Sequence, residues 1–88
     1  MRLTELERTA IMAWQDTQDD FDVLSFDAIA DRSALPRKMV RRTVRAMARK
    51  GVTRYVRGCW TEDGEPAGSG YGLTPIGRLD LLIEAKRA

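Results

Sequence analysis

The chain has 88 residues, 43% hydrophobic and 32% charged, which is the balance of a folded protein with room for one core. It holds no histidine and one cysteine, so an internal disulfide, a cysteine-based zinc site and an imidazole general base are all excluded. The net charge of +2 hides a division: residues 1–31 carry two cations against eight acids, 32–61 carry ten cations and no acid, and 62–88 carry three cations against five acids. A basic middle of this kind is the footprint of a polyanion binder.

The first helix is predicted to start at Thr4, which with Glu7 forms a capping box, hydroxyl and carboxylate satisfying backbone donors reciprocally. Leu3, Leu6, Ala10, Ile11 and Trp14 then recur at helical spacing as its buried stripe, and the helix is expected to fray near Gln18. A short strand is expected over 21–25. Ser25 then caps a second helix over 26–32 that buries Phe26, Ile29 and Ala30.

A third helix is predicted over 36–50, with Pro36 in its first turn and Gly51 as the left-handed residue that ends it. The β-branched and aromatic run 52–57 reads as a strand that extends through Cys59 and Trp60. Three glycines and a proline place a loop over 61–70, and Tyr71, Gly72 and Leu73 form the return strand. Thr74 and Pro75 open a last helix whose Ile76, Leu79, Leu82 and Ile83 share one face, with Leu81 more than a third of a turn away.

The third helix carries the functional signal. On a wheel of about 100° per residue, Val40, Val44 and Met47 cluster as a core face, with Pro36 and Thr43 close by. Lys38, Arg42, Arg45 and Arg49 fall opposite, and Arg37 and Arg41 flank them. A solvated surface helix usually mixes signs so that ion pairs form along it. Here like charges stand at i,i+4 throughout, each pair costing about 0.2–0.5 kcal/mol that an anionic partner would relieve. Arginine suits such a surface because its planar fork makes two hydrogen bonds to guanine or to a phosphate.

A hairpin placed directly after two helices joined by a turn is the winged-helix arrangement. The run Leu35-Pro36-Arg37-Lys38-Met39-Val40-Arg41-Arg42-Thr43-Val44-Arg45-Ala46-Met47-Ala48-Arg49-Lys50-Gly51-Val52 resembles a winged-helix recognition helix entering its first strand. Tyr71-Gly72-Leu73-Thr74-Pro75-Ile76-Gly77-Arg78 is similar to the second wing strand and following helix of MarR-like and PadR-like bacterial or phage transcriptional regulators. The resemblance implies one α+β domain over 1–88: a winged helix-turn-helix with a three-helix core, a small antiparallel sheet and a C-terminal helix. Its helix-turn-helix would lie at about 26–50, its wing at about 52–74 and its last helix at about 75–87.

The function expected is sequence-specific binding of double-stranded DNA by a small cytoplasmic transcriptional regulator, a repressor acting by occupancy. Helix 36–50 would lie in the major groove. Lys38, Arg42 and Arg45 are assigned to base edges, and Arg37, Arg41, Arg49, Arg54 and Arg57 to the DNA backbone. No catalytic residue, cofactor, metal or membrane is implied. The apolar excess of the last helix, and dimerisation through terminal helices in MarR-like relatives, point to a homodimer formed by the N- and C-terminal helices.

The wing departs from the usual pattern, because Glu62, Asp63 and Glu65 make its tip acidic. Either the tip points away from DNA or it touches a partner protein or a basic patch of the same fold. Trp60 and Tyr71 are either stacking platforms for single strands or, more commonly for a wing hairpin, sheet packing. A competing function is a protein-interaction adaptor that works through the acidic first helix and wing tip. Six cations on one helix have no place in that reading.

Overall fold

The computed structural model describes residues 3–17, 23–60 and 66–87, with the backbone alone at 58–60 and 66–68. In chain order the elements are α1 (Glu5–Ile11), a 3-10 turn (Met12–Trp14), α2 (Phe26–Ser33), α3 (Arg37–Arg49), β1 (Thr53–Trp60), β2 (Pro66–Leu73) and α4 (Pro75–Arg87). This is the expected α+β winged-helix arrangement.

The capping box forms as its residues dictate: Glu7 N–H donates to Thr4 Oγ1 at 3.2 Å, and Thr4 N–H donates to Glu7 Oε1 at 2.8 Å. The helix is shorter than expected. It tightens into the 3-10 turn, and Asp16 follows in the left-handed region at φ 70°. Arg32 of α2 holds that end, with Nε donating to Ala13 O at 2.5 Å and Nη2 to Gln15 O at 2.7 Å. Ala10, Ile11 and Trp14 are fully buried as expected, whereas Leu6 is 41% exposed, because Glu7 and Ala13 take the inward positions.

Ser25 Oγ accepts from Ala28 N–H and caps α2, which ends at Ala34 in the left-handed region. Leu35 is buried in the turn, and Pro36 takes the N-cap position of α3, so the helix starts at Arg37, one residue later than predicted. The inward face of α3 is Val40, Thr43, Val44 and Met47, and Gly51 follows its end at φ 78°. Each fully buried aliphatic side chain here contributes about 1.5–3 kcal/mol by leaving water.

β1 and β2 form an antiparallel hairpin that pairs Thr53 with Leu73 and Tyr55 with Tyr71. Register shifts between Val56 and Cys59, and between Cys59 and Trp60, bend its outer half. β2 begins at Pro66, so residues 66–70, expected in a loop, are paired strand. The lack of a side chain serves a purpose at Gly70, where a Cβ would lie 2.5 Å from Leu24 O. Leu24 is the described remnant of the expected strand at 21–25, a single bridge that exchanges both backbone hydrogen bonds with Tyr71 at 2.9 Å. Residues 61–65, with the acidic tip Glu62, Asp63 and Glu65, and the side chains of Cys59 and Trp60 lie outside the described residues.

Trp14, Ile11, Ile29, Met47, Val40, Val44 and Val52 are the largest fully buried side chains, drawn from all three N-terminal helices and the entry to the hairpin. Thr74 closes the assembly: its N–H donates to Val52 O, its hydroxyl to Gly51 O, and its Oγ1 accepts from Gly77 N–H to cap α4. On α4 the larger apolar face is not the one that packs on the body. Gly77 and Leu81 face the body, while Ile76, Leu79, Leu82 and Ile83 are 58%, 62%, 57% and 55% exposed. The cause is close approach, because a Cβ on Gly77 would stand 2.1 Å from Val52 O.

Candidate nucleic-acid interface

The inward side of α3 fixes what its outer side presents. With Val40, Thr43, Val44 and Met47 locked in the core, the 3.6-residue repeat turns Lys38, Arg41, Arg42, Arg45 and Arg49 to solvent. These five side chains together line one shallow depression of about 340 Å³. Among the described residues, none of the five has an ion-pair partner. The surface is therefore a concentrated positive field, with no acid paired to it among the described residues.

The other cations of the basic segment separate into different roles. Arg54 and Arg57 are exposed on β1, beside α3 in the chain's path. Arg37, at the first turn of α3, donates from Nε to Asp27 Oδ1 at 2.5 Å and lies 5.3 Å from the Phe26 ring centroid. Arg32 is consumed in clamping the end of the 3-10 turn. Lys50 leaves the C-terminal end of α3 for the back of the fold, where Nζ donates to Glu7 Oε1 at 2.5 Å.

That last pair sets how α3 sits on α1. The Glu7 side chain is 3% exposed and that of Lys50 26%. Burial pushes the Glu7 carboxyl up, but the hydrogen bonds from Lys50 and Thr4 and the Lys50 charge outweigh it and hold the carboxyl below its ordinary value. Sequence reasoning did not find this pair, nor the Asp27–Arg37 and Arg32 contacts. Their partners come from separate helices, and charge carries no periodicity that would link them.

The aromatic question is settled for Tyr71, a residue 9% exposed whose ring stands between Phe26, at 5.6 Å and near-parallel, and Tyr55, at 5.4 Å and tilted. It is packing, as is the fully buried Trp14, whose Nε1–H donates to Tyr71 O at 3.3 Å. A second depression, of about 470 Å³, opens between α1, α2 and α4, where Arg8 Nε meets Glu84 Oε2 at 3.1 Å. No described helix is long and apolar enough to cross a membrane.

Comparison with known proteins gives a fold and no closer relative. No family model matches the sequence, and no curated protein is similar enough to match. Among solved structures, a mutant of MepR from S. aureus superposes with a TM-score of 0.68 at 16% identity, over 97% of this chain and 58% of that one. A MarR-family transcriptional regulator from Silicibacter pomeroyi gives 0.68 at 16% identity, over 97% of this chain and 53% of that one. FabT from Streptococcus pneumoniae, solved in complex with DNA, gives 0.70 at 16% identity, over 97% and 54%. The chain thus has the winged-helix fold seen in MarR-family regulators, as the sequence resemblance implied, and spans between 53% and 58% of the length of these solved chains.

Proposed function

We propose that the chain is a DNA-binding transcriptional regulator that reads double-stranded DNA in a sequence-specific way with α3 in the major groove. The observation that carries this is the face of Lys38, Arg41, Arg42, Arg45 and Arg49, five exposed cations on one helix with no acid paired to them among the described residues. A neutral or basic partner would leave their mutual repulsion in place, and the regularly spaced negative charges of a phosphate backbone remove it. The fold supports the reading, since the similar FabT structure is solved in complex with DNA.

In this reading Lys38, Arg42 and Arg45 reach base edges. Arg37, Arg41 and Arg49, with Arg54 and Arg57 on β1, position the protein on the backbone. The regulator is a repressor that acts by covering its site in the cytoplasm, and it performs no chemistry on the DNA. It works as a homodimer joined through its terminal helices. The exposed row of Ile76, Leu79, Leu82 and Ile83 on α4 supports that assembly, and a two-fold pair would read half-sites about one helical turn apart.

Selection of bound sequences from a random duplex pool tests the proposal. Enrichment of a palindromic motif, with affinity falling steeply as salt rises, is the expected result. A pool that stays random, or an affinity indifferent to salt, overturns it and favours a protein-binding adaptor.

A further inference from the structure

One cation at the start of α3 is held differently from the five that line the depression. Arg37 is seated on the Phe26 ring, which stacks on Tyr71, which meets Tyr55. An aromatic row thus runs from both strands of the hairpin, through α2, to the first turn of α3. On one edge of the guanidinium stands Asp27, in the first turn of α2, its carboxylate accepting from Arg37 Nε.

Asp27 does not need this contact for its own sake. Its side chain is 86% exposed, so water would solvate it equally well, whereas Glu7 is buried and depends on Lys50. What the contact changes is Arg37. A guanidinium has five N–H donors, and pairing at Nε removes the edge on which a phosphate makes its two-point contact through Nε and one Nη. The end-on pair of Nη groups stays open, but a phosphate arriving there meets the Asp27 charge close by.

Resting on the DNA-binding reading above, we propose that Asp27 is a built-in phosphate mimic: it competes with the DNA backbone for Arg37 and sets the affinity of the protein without altering its base preference. The ring beneath holds the guanidinium in place for whichever anion takes it. Phosphate contacts carry no sequence information, so the brake acts on every duplex alike.

A four-protein cycle tests this: the wild-type chain, Asp27→Asn, Arg37→Gln and the double variant. Each is titrated with the selected duplex and with random duplex between about 50 and 200 mM salt. Asp27→Asn should bind both duplexes about two- to five-fold more tightly, the range for releasing one exposed ion pair. Its salt slope should steepen by about 0.9, one additional phosphate. Arg37→Gln in the Asp27→Asn background should abolish the gain, and in the wild-type background it should cost much less. Melting temperatures report the fold, and Asp27→Ser, which also favours a helix start, must reproduce the result.

Unchanged or weaker binding by both Asp27 variants overturns the proposal, as does a gain that survives loss of Arg37. Arg42→Gln separates the two levels of the argument. If it weakens binding while Asp27→Asn has no effect, the mimic alone is refuted. If the wild-type chain holds no duplex, the functional reading fails with it.

Discussion

Lys50 at the end of α3 donates to the buried carboxylate of Glu7 on α1, joining the far end of the candidate reading helix to the first turn of the chain. Glu7 serves twice, since the same carboxylate accepts from Thr4 N–H in the capping box. Losing it removes a cap and takes one partner from a half-buried ammonium.

The pH dependence of stability follows from that pair. The folded Glu7 carboxyl titrates below its ordinary value of 4.5. As pH falls below that value, the unfolded chain takes up the proton first, so stability rises with pH in this window. The pair's contribution is complete above about pH 4.5 and is lost as pH drops through the depressed folded value. Urea midpoints measured from neutral pH downward should fall more steeply for the wild type than for Glu7→Gln, whose Glu7-dependent component is gone. Glu7→Ala at neutral pH should cost about 2–4 kcal/mol, from the lost cap and the lost buried contact with Lys50.

Gly77→Ala should destabilise. In an ordinary helix this change gains roughly 1 kcal/mol from backbone entropy. Here the new methyl would meet Val52 O at 2.1 Å, an oxygen that already accepts from Thr74 N–H. The α4 start must lift away, at about 2–3 kcal/mol. A thermal melt of this variant gives the sign directly, and a rise in Tm would contradict the close packing.

Binding and stability should move in opposite directions along the α3 face. Replacing Lys38, Arg42 or Arg45 with Ala should cost about 1–3 kcal/mol on the preferred duplex and relax selectivity at one position. Replacing Arg41 or Arg49 should weaken all duplexes similarly and reduce the salt slope by about 1. Each of these changes also relieves like-charge crowding, so the free protein should be unchanged or more stable by a few tenths of a kcal/mol. Fluorescence anisotropy against salt, alongside denaturation, measures both.

Two leucines two residues apart on α4 should behave in contrasting ways. Leu81 is 7% exposed, and Leu81→Ala should cost about 2–3 kcal/mol of stability. Leu79 is 62% exposed, and Leu79→Asn should leave the fold within about 0.5 kcal/mol while dissociating the proposed homodimer. Sedimentation at matched concentrations distinguishes them. A Leu79→Asn variant with an unaltered sedimentation coefficient and unaltered binding to a palindrome would rule out α4 as the joining surface.

Legibility in the sequence tracked how local each signal was. Thr4 with Glu7, Ser25, Pro36 and Gly51 act through neighbours within one turn, so the helix starts and the end of α3 were readable at once. The α3 faces were readable because one helix carries both the apolar and the basic residues. The hairpin's length was not, since glycines that permit the Leu24 crossing at Gly70 have the composition of a loop. The facing of α4 was not readable for a related reason: four large apolar residues outweigh a glycine on any hydropathy wheel, yet the glycine's lack of a side chain decides which side fits. The net number of cations also overstated the site, because Arg32 and Lys50 are committed elsewhere in the fold, which only the tertiary arrangement reveals.

Thr74 binds the exit of α3, the base of the hairpin and the entry of α4 into one joint through the carbonyls of Gly51 and Val52 and the amide of Gly77. If the chain pairs and binds DNA as proposed, a joint without slack makes it a caliper. In a two-fold pair built on α4, the gap between the two reading helices is fixed by the angle at which the α4 helices cross, and any agent that rotates that crossing resets the span of DNA the pair can measure.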